Sequence, residues 1–157
     1  MVAMKISKAY YRSPIGWIEI RSNGKEIIAL SFAAKPRQNV PKDPLSGKAI
    51  REIGEYFNGK REHFTFKLAA QGTRFQKKVW AELPKIGFGE TVSYQEIASW
   101  IGRPKAVRAA ASAIGRNPVA VVVPCHRVVA SNGALAGYAG GTRRKRWLLE
   151  HEKKLKK

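Results

Sequence analysis

Cysteine occurs once in this chain of 157 residues, at position 125. A single thiol excludes an internal disulfide and any zinc site built on clustered cysteines, and three histidines spread over positions 63, 126 and 151 do not replace them. No apolar run approaches the roughly 18 residues of a membrane-spanning helix. The N-terminal MVAMKISKAYY lacks the apolar segment of a secretory signal. Acidic residues are scarce as well: 11 Asp+Glu face 30 Lys+Arg, for a formal charge of +19. Such an excess draws polyanions at long range, so nucleic acid is the expected partner. Internal repeats and low-complexity tracts are missing. With 44% hydrophobic and 10% aromatic residues the chain can bury a core, which excludes wholesale disorder. A free thiol suits a reducing compartment, and the expectation is a soluble cytoplasmic protein.

The length holds one ordinary domain or two small lobes. Residues 9–33 read as a β-meander: GWIEIRS alternates apolar and polar, Asn23-Gly24 is a hairpin-turn pair, and EIIALSF runs back. AAKPRQNVPKD, residues 34–44, is a loop. Leu45, Ala49, Ile50, Ile53, Tyr56 and Phe57 recur at helical spacing before Gly59, and HFTFKL reads as a short strand. Composition changes at Ala69-Ala70-Gln71-Gly72, dividing a structural α/β lobe, residues 1–68, from residues 69–157.

In the second part Thr73 caps a helix with Phe75, Val79, Trp80 and Leu83 inward, and Gly87-Phe88-Gly89 is a turn. Ser93-Tyr94-Gln95-Glu96 has the form of a capping box. The helix it opens stops at Gly102, and Pro104 sits in the first turn of the next, KAVRAAASAI, which ends at Gly115. Two short helices joined by Gly102-Arg103-Pro104 have the form of a helix-turn-helix. The apolar run Val119–Val123 reads as a strand whose end presents the cysteine. Asn132-Gly133 marks another turn, and Thr142 opens a last helix with Trp147, Leu148, His151 and Leu155 on one side and a frayed EKKLKK end.

Cys125 stands in VPCHRV, and only a thiolate is a good nucleophile, so it needs a base or electropositive surroundings. His126 is the obvious base, but in an extended chain adjacent side chains point to opposite faces. Contact requires a turn or a bridging water. An imidazole base also needs a carboxylate to hold its tautomer. After Glu96 only Glu150 and Glu152 remain, so a C-terminal glutamate is the natural orienter. The second helix of the pair is built on Ala106, Val107, Ala109, Ala110, Ala111, Ser112 and Ala113. It lacks the long polar residues that read base edges, and is either a tightly packed core helix or one that lies close in a groove. Arg108 is its one long side chain, a phosphate contact or a group that enters the base stack.

VPCHRVVASNGALAGYAGG followed by RWLLEHE, with S-Y-x-E-I-A, K-A-x-R-A and R-N-P upstream in order, closely resembles the O6-alkylguanine-DNA alkyltransferases. The resemblance is continuous over residues 73–152 and covers the first 68 only in general layout. It implies a small N-terminal β-sheet lobe with a helix, in a ribonuclease-H-like layout, followed by a winged helix-turn-helix-like C-terminal domain. It also implies irreversible, single-turnover transfer of an alkyl group from O6-alkylguanine, with O4-alkylthymine as a further candidate substrate, in double-stranded DNA. By this resemblance Cys125 is the acceptor, His126 its base through a water, Glu152 the group holding His126, and Asn117 the residue fixing the turn near the thiol. Tyr94 donates toward a guanine ring nitrogen. Val128, Tyr138, Ala139 and Trp147 line the base pocket, although Trp147 also reads as a core residue. Arg108 takes the space of a flipped nucleotide, and Ala106, Ala109, Ala110, Ser112, Arg116 and Arg127 belong to the DNA face.

Ala139 stands where many relatives carry serine, leaving only a backbone donor there. Neither a cofactor nor a metal is expected, and the resemblance implies a monomer whose cooperativity on DNA is open. Two other readings compete. One is a helix-turn-helix DNA-binding protein with a redox- or alkylation-sensing thiol. The other, a cysteine hydrolase, fits the basic charge poorly.

Overall fold

The computed structural model describes residues 5–38, 43–135 and 137–156. Residues 39–42 of the expected loop and the terminal Lys157 lie outside them. The chain divides into two compact units, Met1–Gln71 and Gly72–Lys157.

In the first unit β1 (Ser7–Ser13), β2 (Gly16–Ser22) and β3 (Ile27–Ala33) form an antiparallel meander in the order β1-β2-β3. Period-2 alternation buries Ile18, Ile20 and Ser22 on one side of β2 and leaves Glu19 and Arg21 on the other, where Glu19 accepts from the Tyr10 hydroxyl at 2.8 Å. The buried side is covered by α1 (Pro44–Phe57), whose Ala49, Ile53, Tyr56 and Phe57 face inward. Asp43 caps α1, accepting from the Ser46 amide at 2.7 Å. It also accepts from the hydroxyls of Ser7 and Ser22, which ties the helix start to two strands. HFTFKL is not a strand. Its one ladder contact is a parallel bridge between Leu68 and Ile27, and Glu52 of α1 captures the Thr65 amide at 2.7 Å. That side-chain bond replaces a sheet partner.

The second unit is helical. Capping boxes start α2 (Arg74–Glu82), through Thr73 and Gln76, and α3 (Tyr94–Trp100), through Ser93 and Glu96. Gly102, at φ 76°, ends the segment after α3, and α4 (Val107–Gly115) begins three residues beyond Pro104, which sits in the connecting turn. The Trp80 indole donates to the Ala113 carbonyl at 2.7 Å and joins α2 to α4. A short parallel ladder pairs β4 (Val92–Ser93) with β5 (Val128–Val129), and α5 (Thr142–Leu155) closes the unit. Helix α5 keeps its geometry to Leu155 because Glu152 is anchored inside, so most of the expected frayed end is ordered helix. Among the described residues no helix is long and apolar enough to cross a membrane.

Candidate active site

The turn that presents the cysteine begins at Asn117. Its Oδ1 accepts from the Val119 amide at 3.0 Å, and its Nδ2 donates to the carbonyls of Val123 at 2.8 Å and Val119 at 3.3 Å. Pro118 and Pro124 have no N–H to give a ladder, and the Val123 amide turns back to the Val119 carbonyl at 3.0 Å. The apolar run Val119–Val123 is therefore a set of turns and not the expected strand. Val121 adopts φ 68°, a left-handed conformation that costs a β-branched residue about 1–3 kcal/mol. Burial at 1% exposure and the Asn117 bonds hold it there.

Cys125–Arg127 then form one turn of 3-10 helix. Successive side chains step by about 120° instead of 180°, which removes the opposition that an extended Cys125-His126 pair would have. His126 is fully buried, and its Nε2 lies 2.7 Å from Glu152 Oε2. Its Nδ1 is buried without a protein hydrogen-bond partner. Glu152 arrives on α5 in register with Lys145 and Leu148, and these three form the buried face of the helix. Trp147 and His151, expected on that face, stand beside it, half-buried and stacked with ring centroids 4.8 Å apart.

Arg127 is a correction. The resemblance places it in the DNA face, whereas its side chain turns inward. Nε and Nη2 donate to the two Glu152 oxygens at 2.8 and 3.1 Å, Nη1 donates to the Ile86 carbonyl at 2.8 Å, and the guanidinium lies over the Phe88 ring. A bidentate arginine neutralises the carboxylate that also holds His126. Gly89 completes this corner. Its amide reaches Glu152 Oε1 at 3.4 Å, and with φ 77° a Cβ there would lie 2.9 Å from the Lys156 side chain.

The electrostatics follow from these contacts. Burial opposes ionisation of Glu152, but the His126 bond and then the Arg127 contacts outweigh it and hold the carboxyl well below the usual range. Burial is the main cause that lowers His126, so the imidazole is neutral at pH 7. With Nε2–H donated to Glu152, the lone pair is on Nδ1. Burial pushes the Cys125 thiol up, while a hydrogen bond from Asn117, the charge of Lys145 and two backbone amides pull it down. Burial, and then the Cys125 charge, raise the hydroxyls of Tyr94 and Tyr138, so both remain protonated donors.

Lys145 was missed in the sequence. It is 1% exposed, and its Nζ lies 3.3 Å from the Tyr94 hydroxyl. Its spacing to Leu148 and Glu152, i, i+3 and i+7, was the available signal. On α4, Arg108, Ala109 and Ser112 are exposed, Ala106 is half-buried at the N-cap, and Arg116 is exposed at the C-cap. Ala110 is a second correction: it is fully buried in the unit's core and cannot face DNA. Val128 is buried in β5, Tyr138 is half-buried and Ala139 exposed.

Comparison with known proteins agrees over both units. Residues 74–154 match a family model described as 6-O-methylguanine DNA methyltransferase, DNA binding domain, and residues 6–70 match the ribonuclease-like domain of the same description. A methylated-DNA–protein-cysteine methyltransferase of Methanosarcina barkeri is 47% identical over 89% of this chain and 92% of its own length. One from Mycobacterium bovis is 44% identical over 90% and 88%. The crystal structure of Mycobacterium tuberculosis O6-methylguanine methyltransferase superimposes with a TM-score of 0.88 at 38% identity, over 98% of this chain and 96% of the other. Mycobacterium tuberculosis OGT in complex with DNA gives 0.84 at 40% identity, over 94% of each chain.

Proposed function

The chain belongs to the 6-O-methylguanine DNA methyltransferase family, and we propose that Cys125 is the residue on which its reaction ends. The protein is a DNA-repair enzyme that transfers an alkyl group from methylated DNA to a protein cysteine, and DNA is its partner. One observation carries the assignment: the chain has no other cysteine.

The resting thiol is protonated, so it must lose a proton before it attacks. The Nδ1 lone pair of His126 takes that proton through a water. Glu152, itself positioned by Arg127, holds the ring and stabilises the imidazolium as it forms. The sulfur then displaces guanine at the alkyl carbon, while Tyr94 protonates a ring nitrogen so that guanine does not depart as a bare anion. Backbone groups of Cys125 and Val128 accept from the guanine amino group, and the Ala139 amide faces the alkylated oxygen. Tyr138 and Trp147 form the pocket walls. The product is a thioether that no neighbouring group can cleave, so each molecule acts once.

An alkylated base inside a duplex is out of reach, and extrusion costs a few kcal/mol. Arg108, exposed on α4, fills the vacated space, while the small side chains at Ala106, Ala109 and Ser112 let the helix lie in the minor groove, with Arg116 on a phosphate. A helix with no base-reading residues suits damage that occurs in any sequence. The protein works as a monomer in the cytoplasm, where a reducing environment preserves the free thiol.

The test is intact mass spectrometry after incubation with duplex DNA containing O6-methylguanine. One methyl mass on the peptide carrying Cys125 is expected, and the Cys125→Ala variant keeps DNA binding without any mass gain. An unmodified wild-type protein would remove the assignment and leave the thiol-sensor reading.

A further inference from the structure

The first unit takes no part in the chemistry above, yet it carries 13 Lys+Arg against 6 Asp+Glu over residues 1–71 and holds a cavity of about 600 Å³. Three segments wall this cavity. Lys25 and Glu26 come from the turn between β2 and β3, Leu45 and Lys48 from the start of α1, and Thr65, Phe66 and Lys67 from the segment that stays out of the sheet. Each wall is fixed by its own hydrogen bonds. Asn23 Oδ1 accepts from the amides of Lys25 and Glu26 at 2.9 and 2.8 Å, and Asp43 caps α1 at the Ser46 amide. Glu52 holds the Thr65 amide, and the Lys67 carbonyl accepts from the Ile27 amide at 2.8 Å. The cavity is therefore formed before any ligand arrives, which spares the ligand the cost of ordering it.

Its lining joins two characters. Phe66, 7% exposed and tilted against Phe64 with ring centroids 5.8 Å apart, makes an apolar floor with half-buried Leu45. Lys25, Lys48 and Lys67 make no salt bridge among the described residues, and neither does Glu26, the one carboxylate of the lining. Three ammonium groups around one concavity repel one another, and a polyanion relieves that repulsion. We propose that this cavity binds a nucleoside diphosphate or triphosphate. Charge spread along a phosphate chain suits three separate lysine point charges, as a single carboxylate would not. The base and ribose cover Leu45 and Phe66, apolar surface that inorganic phosphate would leave wet. Glu26 accepts from a ribose hydroxyl. A duplex fits poorly, because it presents its phosphates on a convex surface and would leave the apolar floor uncovered.

The site is independent of Cys125, so its test uses the full chain and reads binding. Calorimetric titration of the wild-type protein with ADP should give a single site, and amide NMR spectra should show ADP shifting the lining residues. Lys48→Gln and Lys67→Gln should each weaken ADP by about 3- to 10-fold, and Leu45→Glu should abolish its binding. Lys77→Gln and Lys78→Gln, exposed on α2 of the second unit, should leave it unchanged. Pyrophosphate should bind at least about 5-fold more weakly than ADP, since it cannot cover the floor. If Leu45→Glu does not fold, the two lysine variants decide alone. ADP that does not bind at millimolar concentration, amide shifts confined to the second unit, an equal loss in the α2 variants, or pyrophosphate as tight as ADP overturns the proposal. Failure of Cys125 to take a methyl group would count against the transfer assignment and leave this result untouched.

Discussion

Replacing Arg127 by methionine separates the tertiary reading of this residue from the expectation that it binds DNA. Methionine keeps an unbranched stem but removes the bidentate contact with Glu152 at 2.8 and 3.1 Å, the bond to the Ile86 carbonyl at 2.8 Å, and the cation over Phe88. Glu152 is fully buried, so the change takes a bidentate cationic partner from a desolvated carboxylate. Breaking a buried pair from one side costs about 3–5 kcal/mol. At roughly 2–4 °C per kcal/mol for a chain of this size, the melting temperature should fall by about 6–20 °C. The assay is thermal unfolding without DNA, paired with the salt dependence of binding to an undamaged duplex. The folded fraction should keep a wild-type salt slope, since no phosphate contact has been lost. A variant that melts within about 2 °C of wild type, with a slope reduced by about one, would return Arg127 to the DNA interface and refute the reasoning.

Arg108→Ala should do the reverse: stability within about 0.5 kcal/mol of wild type, because the side chain is exposed, and a salt slope smaller by about one. Asn117→Ala takes away the 3.0 Å acceptor of the Val119 amide and one of the two donors to the Val123 carbonyl, at a cost of about 1–3 kcal/mol. The same change removes a bond that lowers the thiol, so the pH midpoint of iodoacetamide labelling at Cys125 should move upward. Glu152 is held below its unfolded value of about 4.3, so its stabilisation is complete above that pH and declines as the pH falls through the folded value. Denaturant titrations should therefore show stability dropping below about pH 4 in wild type and a flatter acid limb in Glu152→Gln.

The legible features were local ones. Meander, capping boxes and helix stops depend on residues within a few positions of one another, and the structure has them at Asn23-Gly24, Thr73, Ser93 and Gly102. The alternation rule failed at Val119–Val123 because a run of valines looks the same whether or not a neighbouring strand exists to pair with it. It failed at HFTFKL for the same reason, with Glu52 supplying the bond a ladder would have made. Ala110 could not be told from Ala109 by composition, since a helix of small residues has no obvious inside until α2 packs against it.

By itself the sequence determined that any thiol chemistry would fall to Cys125, beside a histidine in a cationic chain, because no second cysteine exists to share the role. Tertiary structure alone decided which cation serves the interior and which the surface. Arg127 and Lys145 look like ordinary members of a basic population until the 3-10 turn and α5 face one another. Charge is written in composition, but whether it meets water, a carboxylate or a tyrosine depends on distances between segments remote in the chain.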